Sequence, residues 1–186
     1  VAGKTLVVGT HDSGALAVSK DAGASWRNYY YFSGGPATQI GSNNVEGTFL
    51  DGTTIYAATN GGVSVGSLSD SYISWTTCNQ ATNGLASDGV YNVYKDGSRL
   101  YAATWLGLSI STDGGTAWSS PAASPTGEPA GSPAGTVLDV WASGNTIYAA
   151  TYGGLAISTD GGATWALKSS ATAGFGGDYV PDLYVS

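Results

Sequence analysis

The chain has 186 residues, only 10% of them charged, and its 13 acidic residues against six basic ones give a formal net charge of −7. A chain of this length can bury a sizeable core, while the acidic balance makes nucleic acid a poor partner. No apolar run approaches the ~20 residues of a membrane span. Low charge, abundant small polar and aromatic residues and the absence of Met predict an extracellular or periplasmic protein.

One short apolar segment recurs four times along the chain and predicts a β-strand at each place. Its copies are Thr5–Thr10, Thr54–Thr59, Arg99–Thr104 and Thr146–Thr151. The last three copies share Tyr-Ala-Ala-Thr, and the first is more divergent. Each copy leads into a turn, a second short apolar strand and a tryptophan. A repeat of about 45 residues built from short strands indicates the blades of a β-propeller.

The hairpin before each tryptophan carries a second repeated pattern, Ser-x-Asp-x-Gly-x-x-Trp. The full matches are Ser19–Trp26, Ser111–Trp118 and Ser158–Trp165. The pattern resembles the Asp-box, or BNR repeat, of sialidase-like β-propellers, and the repeats span nearly the whole chain. The remaining copy keeps Asp70 and Trp75 but lacks the serine and the glycine, which predicts the least regular of the four hairpins.

The chemistry of this pattern is structural. In a tight turn the aspartate accepts hydrogen bonds from backbone N–H groups, the glycine permits a positive φ, and the tryptophan covers the turn with an apolar ring. In the resembled families the Asp-box lies away from the active site. We therefore expect structural roles for the following residues: Asp21, Trp26, Asp70, Trp75, Asp113, Trp118, Asp160 and Trp165.

The alternation of apolar residues and turn residues divides each repeat into four strands. In the last full repeat these are Val137–Trp141, Thr146–Thr151, Leu155–Ser158 and Trp165–Lys168. No stretch shows a convincing helical period. The sequence therefore predicts an all-β fold, a single β-propeller domain of four four-stranded blades over residues 1–186. The predicted blades are approximately 4–28 together with 178–186, 45–79, 89–120 and 136–169.

The C-terminal segment Tyr179–Val185 has the pattern of a first strand, which the N-terminal blade lacks. We expect it to pair with that blade and close the ring, because closure removes the open sheet edges that invite aggregation. The same strand could instead be donated to another copy, giving a dimer of eight blades or an open array. A monomer and a strand-exchanged homo-oligomer both remain open.

The catalytic residues of the resembled enzymes do not carry over to this sequence. A sialidase needs an arginine cluster, an activated tyrosine and an acid, but Arg27 and Arg99 are the only arginines. A glycosidase needs two facing carboxylates, and Glu46 and Glu128 are the only glutamates. His11 is the only histidine, and nothing marks a nucleophile. The sequence predicts that the protein is not an enzyme, with a divergent glycoside hydrolase as an alternative.

Polar residues in the first strands predict a polar axial channel. Alignment of these strands places Thr48, Asn92, Asp139 and Asp182 at equivalent positions. Oxygen ligands around an axis suit a hard cation such as Ca²⁺, and four-bladed hemopexin-like domains are similar in holding ions in their tunnel. The alternative is a hydrated channel with no cofactor.

One position varies inside the otherwise constant turn after each copy of the repeated strand. Its occupants are His11, Asn60, Trp105 and Tyr152. In a propeller this turn shares a face with the long loops between blades, one of which carries Tyr30, and the Asp-boxes lie on the opposite face. Because long loops on a rigid face are the usual place for binding, we expect these five residues to bind a glycan or a protein surface. Alternatively, Trp105 and Tyr152 pack against neighbouring loops and bind nothing. The alternative function for the whole protein is a structural subunit that assembles by strand exchange.

Overall fold

The computed structural model describes residues 4–11, 14–69, 72–121, 124–126 and 135–185. These residues form four antiparallel sheets of three or four strands, consistent with a propeller-like all-β fold. Sheet 1 comprises β1 (Leu6–Gly9), β2 (Leu16–Ser19) and β3 (Arg27–Tyr29). Sheet 2 comprises β4 (Val45–Asp51), β5 (Thr54–Thr59), β6 (Gly62–Ser67) and β7 (Trp75–Cys78). Sheet 3 comprises β8 (Val90–Asp96), β9 (Arg99–Thr104) and β10 (Gly107–Ser111). Sheet 4 comprises β11 (Val137–Ser143), β12 (Thr146–Thr151), β13 (Gly154–Ser158) and β14 (Ala166–Lys168).

Every sheet is a meander in which strands that are consecutive in the chain lie side by side. The hydrophobic core lies in three layers, each between two sheets that are neighbours in the chain. In the first layer, Leu16 and Tyr29 of sheet 1 pack with Ile55 and Trp75 of sheet 2. The strands β4, β8 and β11 lie side by side, so the sheets stack in a row in sequence order.

The turn after β5, β9 and β12 is closed by the threonine that ends the strand. Oγ1 of Thr59, Thr104 and Thr151 donates to the carbonyl oxygen of the glycine three residues on, at 2.8, 2.7 and 2.8 Å. The last of these glycines, Gly154, has a φ of +133°, a conformation that favours glycine. Backbone geometry therefore accounts for the constant Thr-x-x-Gly frame and leaves the residue after the threonine free to vary.

Two sheets have fewer strands than the sequence predicts. In sheet 3 a single bridge between Ile110 and Ser119 stands in place of the fourth strand. Pro121 follows closely, and proline has no N–H with which to extend the pairing. The structure also contains two four-residue helices, α1 (Gln80–Asn83) and α2 (Ser170–Ala173), which the sequence analysis missed. Each lies in a long loop and ends at a glycine in the left-handed region.

The predicted ring closure is not formed by the residues that the structure describes. β1 pairs with β2 alone, and Val180–Val185 is not a strand. The N–H of Val180 donates to the carbonyl oxygen of Thr151, and the N–H of Leu183 donates to Asp139 Oδ2, both at 3.0 Å. The C-terminal segment therefore lies against sheet 4. Because each sheet packs on the next one in the chain, sheets 1 and 4 are the first and the last described sheets of the row.

Candidate functional site

The Asp-box hairpins of sheets 1, 3 and 4 occupy one end of the sheets and share one geometry. In each, the box serine donates to Oδ1 of the box aspartate, at 2.7, 2.8 and 2.8 Å for Asp21, Asp113 and Asp160. The same carboxylate oxygen accepts the backbone N–H four residues on, at 2.9, 3.0 and 2.9 Å. Hydrogen bonds from Ser25 and Thr164 hold the pKa of Asp21 and of Asp160 at about 2. The donors of the hairpin itself therefore occupy these carboxylates.

The second box differs from the other three. Asp70 lies outside the described residues, so its role stays a prediction. Trp75 is nonetheless 2% exposed, close to Trp118 at 6%, whereas Trp26 in a regular box is 45% exposed. The irregular second box therefore buries its tryptophan as fully as the regular box of sheet 3 does.

The opposite end of the sheets carries the variable turns and the loops between sheets. In sheet 4, Thr151 pairs with both Val137 and Gly154, so the start of β11 and the turn at Tyr152 lie at the same end. Sheets 2 and 3 repeat this register. We call this end the loop face. It carries the five predicted ligand residues: His11, Tyr30, Asn60, Trp105 and Tyr152.

A β-bulge at the start of β4, β8 and β11 adds residues to the loop face that the sequence analysis missed. The register shifts across Glu46, Tyr91 and Leu138, one extra residue in each strand. A bulge leaves this residue outside the ladder and re-aims its side chain. The sequence did contain a signal for these bulge residues. Each one directly follows the valine that begins its first strand, and the residue at this position differs from repeat to repeat.

Four aromatic rings lie together on the loop face between sheets 3 and 4. The Tyr91 and Trp105 rings are 6.4 Å apart, and the Tyr152 and Tyr179 rings stack at 5.2 Å with an interplanar angle of 21°. Burial raises the pKa of the Tyr91 hydroxyl, and the nearby Tyr152 and Tyr179 hydroxyls raise it further, which places the two pairs beside each other. Trp105, Tyr152 and Tyr179 are 45%, 54% and 58% exposed. We call these four residues the aromatic patch.

The other three predicted ligand residues lie outside the aromatic patch. His11 Nε2 is 3.2 Å from Glu46 Oε1, and both side chains are accessible. Asn60 is half-buried, and its Oδ1 has no hydrogen-bond partner among the described atoms. Tyr30 pairs with Phe32 at a ring distance of 6.1 Å in the loop between sheets 1 and 2. The loop face is therefore aromatic over sheets 3 and 4 and polar at His11 and Asn60.

Three of the four predicted axial residues meet in one hydrogen-bonded chain. Nδ2 of Asn92 donates to Oδ1 of Asp139, and the Asp182 side chain hydrogen-bonds to Asp139 as well. Burial is the main cause that raises the pKa of Asp139; the bond from Asn92 lowers it and the bond with Asp182 raises it. The backbone N–H of Leu183 also donates to this carboxylate, at 3.0 Å.

The prediction that Thr48 is the fourth axial residue is wrong by one position. In the register of the sheets Gly47, and not Thr48, is the equivalent of Asn92 and Asp139. A Cβ at Gly47 would lie 2.8 Å from the carbonyl oxygen of Tyr91 and 2.9 Å from Asn92 Oδ1, so no side chain fits. Within the described ranges no group of three His, Cys, Asp or Glu side chains could hold a metal. The calcium site stays a prediction.

Comparison with solved structures supports the propeller-like fold. The chain is similar to the extracellular domain of a hybrid two-component system of B. thetaiotaomicron, with a TM-score of 0.69 and 19% identity over 87% of this chain and 21% of that one. It is also similar to an ancestral GH74 enzyme, with a TM-score of 0.67 and 18% identity over 90% of this chain and 23% of the enzyme. YCF48 bound to a D1 peptide gives a TM-score of 0.57 and 17% identity over 92% of this chain and 54% of YCF48.

The chain thus spans about a fifth of the first two proteins and about half of YCF48, and at these identities the likeness shows the fold alone. No protein-family model and no curated protein matches the chain. Within the described part of the chain, no helix has the length and apolar character needed to cross a membrane.

Proposed function

We propose that the protein is a non-catalytic recognition module that binds a glycan or a protein surface through the loop face. The observation that carries this proposal is the aromatic patch. Trp105 and Tyr152 occupy a slot that the Thr-x-x-Gly turn leaves free, yet both are large rings with about half of their surface exposed. Exposed rings that packing does not require are typical of binding surfaces.

The chemistry of the patch favours a neutral or weakly polar ligand. Flat ring faces with phenolic hydroxyls at their edges suit the apolar face of a sugar or an extended peptide. The rings are held in place before binding, because Tyr152 stacks on Tyr179 and the Trp105 ring lies over Gly89, where a Cβ would meet it at 2.3 Å. Held rings lose less conformational entropy on binding.

The neighbours in fold agree with this proposal. The B. thetaiotaomicron protein is an extracellular domain, and YCF48 is seen with a peptide. This neighbour and the composition of the chain, which is low in charge and lacks Met, both support our proposal of an extracellular or periplasmic location. Calcium is not needed in the proposal, because Asn92, Val140 and Leu183 already donate to the Asp139 carboxylate.

We also propose that the protein has no glycoside hydrolase activity. The only histidine, His11, faces Glu46 in an exposed pair, and Glu128 lies outside the described residues. Incubation with a panel of aryl glycosides and oligosaccharides should give no release of product. Turnover that is lost in Glu46→Gln would replace the proposal with a glycoside hydrolase.

Binding is tested on a glycan array and a displayed peptide library, followed by Trp105→Ala and Tyr152→Ala. Loss of an aromatic anchor is expected to weaken binding by about 2 kcal/mol, roughly 30-fold, because anchor rings dominate such interfaces. The melting temperature should change little, since exposed side chains contribute about 0.5 kcal/mol or less to stability.

Tyr72→Ala is the matched control. This ring is 62% exposed and lies in the second Asp-box hairpin, at the other end of the sheets. Equal loss of binding in the control and in the patch variants would show that the loop face is not the recognition surface. Early melting of both patch variants would instead assign the rings to packing.

A further inference from the structure

A carboxylate lies beside the aromatic patch, on the neighbouring sheet. Glu46 is the bulge residue of β4, and its equivalent in β8 is Tyr91 of the patch. The two bulges are in close contact, because a Cβ at Gly47, the residue after Glu46, would lie 2.8 Å from the carbonyl oxygen of Tyr91. Burial is the main cause that raises the pKa of the Tyr91 hydroxyl, and the negative charge of Glu46 raises it further. Glu46 therefore continues the aromatic patch across sheet 2 as an acidic group.

The carboxylate of Glu46 is accessible to a ligand. Its side chain is 27% exposed, and its Oε1 lies 3.2 Å from His11 Nε2. A neutral imidazole that donates to this oxygen leaves the negative charge in place. Because most of the side chain is shielded from water, this charge acts on a nearby ligand group more strongly than a fully solvated charge does.

The positive charges of the chain are concentrated at the other end of the sheets. All six lysines and arginines are among the described residues, and five of them lie at the Asp-box end: Lys4, Lys20, Arg27, Lys95 and Arg99. The loop face has only Lys168, which ends the edge strand β14. The described carboxylates of the loop face are Glu46, Asp88 and Asp178. The loop face is therefore the more acidic end of the described chain.

A basic side chain matches both the rings and the carboxylate. Lysine and arginine pack an apolar stem on rings while the charged head stays near water, and a cation is attracted to the face of a tryptophan or a tyrosine. The stem satisfies the preference of the aromatic patch for weakly polar contacts, and the head compensates the charge of Glu46. A neutral sugar offers only hydroxyls, so it would cover the carboxylate without compensating the charge, which is costly.

We infer that the loop face recognises a protein segment that presents a lysine or arginine side chain, with its aliphatic stem on the rings of the aromatic patch and its charged head at the Glu46 carboxylate. This inference rests on the proposed recognition function and narrows its ligand from a glycan or a protein surface to a basic segment of a protein. Such charge complementarity adds specificity and speeds association, while the rings supply the anchor.

Matched peptides test the requirement for a positive charge. The probes are immobilised peptides in which serine alternates with lysine, arginine, norleucine or glutamate, and norleucine keeps the apolar stem of lysine without its ammonium group. The lysine and arginine peptides should bind the protein about tenfold more tightly than the norleucine peptide, because only they add the cation–ring and carboxylate contacts. The glutamate peptide should bind more weakly than the norleucine peptide.

Three variants locate the contact on the loop face. Glu46→Gln should reduce the affinity for the lysine peptide about fivefold and leave the norleucine peptide unaffected, because it removes a partly solvated charge and no ring. Trp105→Ala should weaken both peptides. The matched control is Asp51→Asn, which removes the same formal charge at the Asp-box end, where Asp51 pairs with Lys95 and its side chain is 50% exposed. This control should bind both peptides as the wild type does.

The outcomes separate this inference from the proposed function. Equal binding of the lysine and norleucine peptides, lost in Trp105→Ala, would overturn the requirement for a cation and leave the recognition function of the loop face in place. A loss in Asp51→Asn as large as in Glu46→Gln would overturn the inference as well, because the attraction would then come from net charge. If none of the peptides binds, the inference is wrong, and the glycan array alone decides the proposed function.

Discussion

The Asp-box end and the loop face are built on the same strands but differ in how far their side chains vary. At the Asp-box end three hairpins repeat the same serine, aspartate and glycine contacts to within about 0.1 Å, a spread far below ordinary hydrogen-bond variation. At the loop face the equivalent slot holds His11, Asn60, Trp105 and Tyr152. Hydrogen bonds that close the hairpin require particular residues, whereas the Thr-x-x-Gly turn is closed by the threonine and constrains its variable residue little.

This difference separates buried hairpin residues, which should contribute to stability, from exposed loop-face residues, to which we assign the proposed recognition role. The box tryptophans of sheets 2 and 3 are buried against a neighbouring sheet, and the rings of Trp105 and Tyr152 are about half exposed. Substitutions at the two ends should therefore have different consequences, and the following experiments are arranged from the largest expected effect to the smallest.

The largest effect is expected for Trp118→Ala, compared with Trp105→Ala in the same sheet. Truncation of the buried Trp118 should lower the free energy of unfolding by roughly 3–5 kcal/mol, because it leaves a cavity between sheets 2 and 3. The half-exposed Trp105 should lower it by about 0.5 kcal/mol or less. Urea denaturation measures both values, and similar losses would mean that the two ends do not differ in the way described.

A smaller effect is expected for Ser158→Ala. Ser158 is 1% exposed, its Oγ accepts the N–H of Gly162 at 2.8 Å, and it donates to Asp160. Removal leaves a buried N–H without a partner, which should destabilise the protein by about 1–3 kcal/mol. Ser170→Ala, at an exposed serine of the loop face, is the control and should be neutral. A neutral Ser158→Ala would show that the serine of the box is dispensable.

The smallest effect is expected in how stability depends on pH. The aspartates of the Asp-boxes and the buried Asp139 should contribute to it with opposite signs. The pKa of Asp21 and of Asp160 falls from 3.8 to about 2 on folding, so their stabilising contribution is present above pH 3.8 and is lost as pH falls towards 2. The pKa of Asp139 is raised, so its contribution is present at low pH and is lost as pH rises through the folded pKa.

Chemical denaturation across pH 2 to pH 7 separates the two contributions. Asp160→Asn should flatten the decline of stability below pH 4, because it removes one carboxyl that ionises more readily in the folded state. Asp182→Asn should raise stability near pH 7, because its amide can donate to Asp139 as the amide of Asn92 does. An Asp160→Asn variant with an unchanged acid profile would contradict the box assignment.

The fold was predictable from the sequence where a repeat constrains the backbone. Thr54–Thr59 and Thr146–Thr151 are identical and form equivalent strands. The Ser-x-Asp-x-Gly-x-x-Trp pattern also predicted the hairpins that join β2 to β3 and β13 to β14. The short helices α1 and α2 were missed because four residues are too few to show a period. Asn79 before α1 and Gly84 after it were the available signals, since they cap that helix.

The candidate site was less predictable because it depends on residues that a repeat alignment treats as ordinary. Tyr91 reaches the aromatic patch only through the bulge of β8, and Tyr179 does so only because the C-terminal segment lies against sheet 4. Gly47 was readable from the sequence, because it lies two residues after the valine that begins β4, as Asn92 and Asp139 do in β8 and β11. Ring closure stays a prediction, because the strand pattern of Tyr179–Val185 does not specify which sheet the segment joins.

The identity of β5 and β12 has a consequence for how the chain reaches its native state. Both read Thr-Ile-Tyr-Ala-Ala-Thr, so β12 matches the side-chain requirements of β4 and β6 as well as β5 does. Only proximity along the chain distinguishes correct from exchanged pairing, because β5 is joined to each partner by two residues and β12 is far away in sequence. Local hairpins close within microseconds, long before distant segments meet, and this order of events protects the correct topology. At high concentration the same strand of another unfolded molecule competes on more equal terms, so dilution during refolding favours the native arrangement.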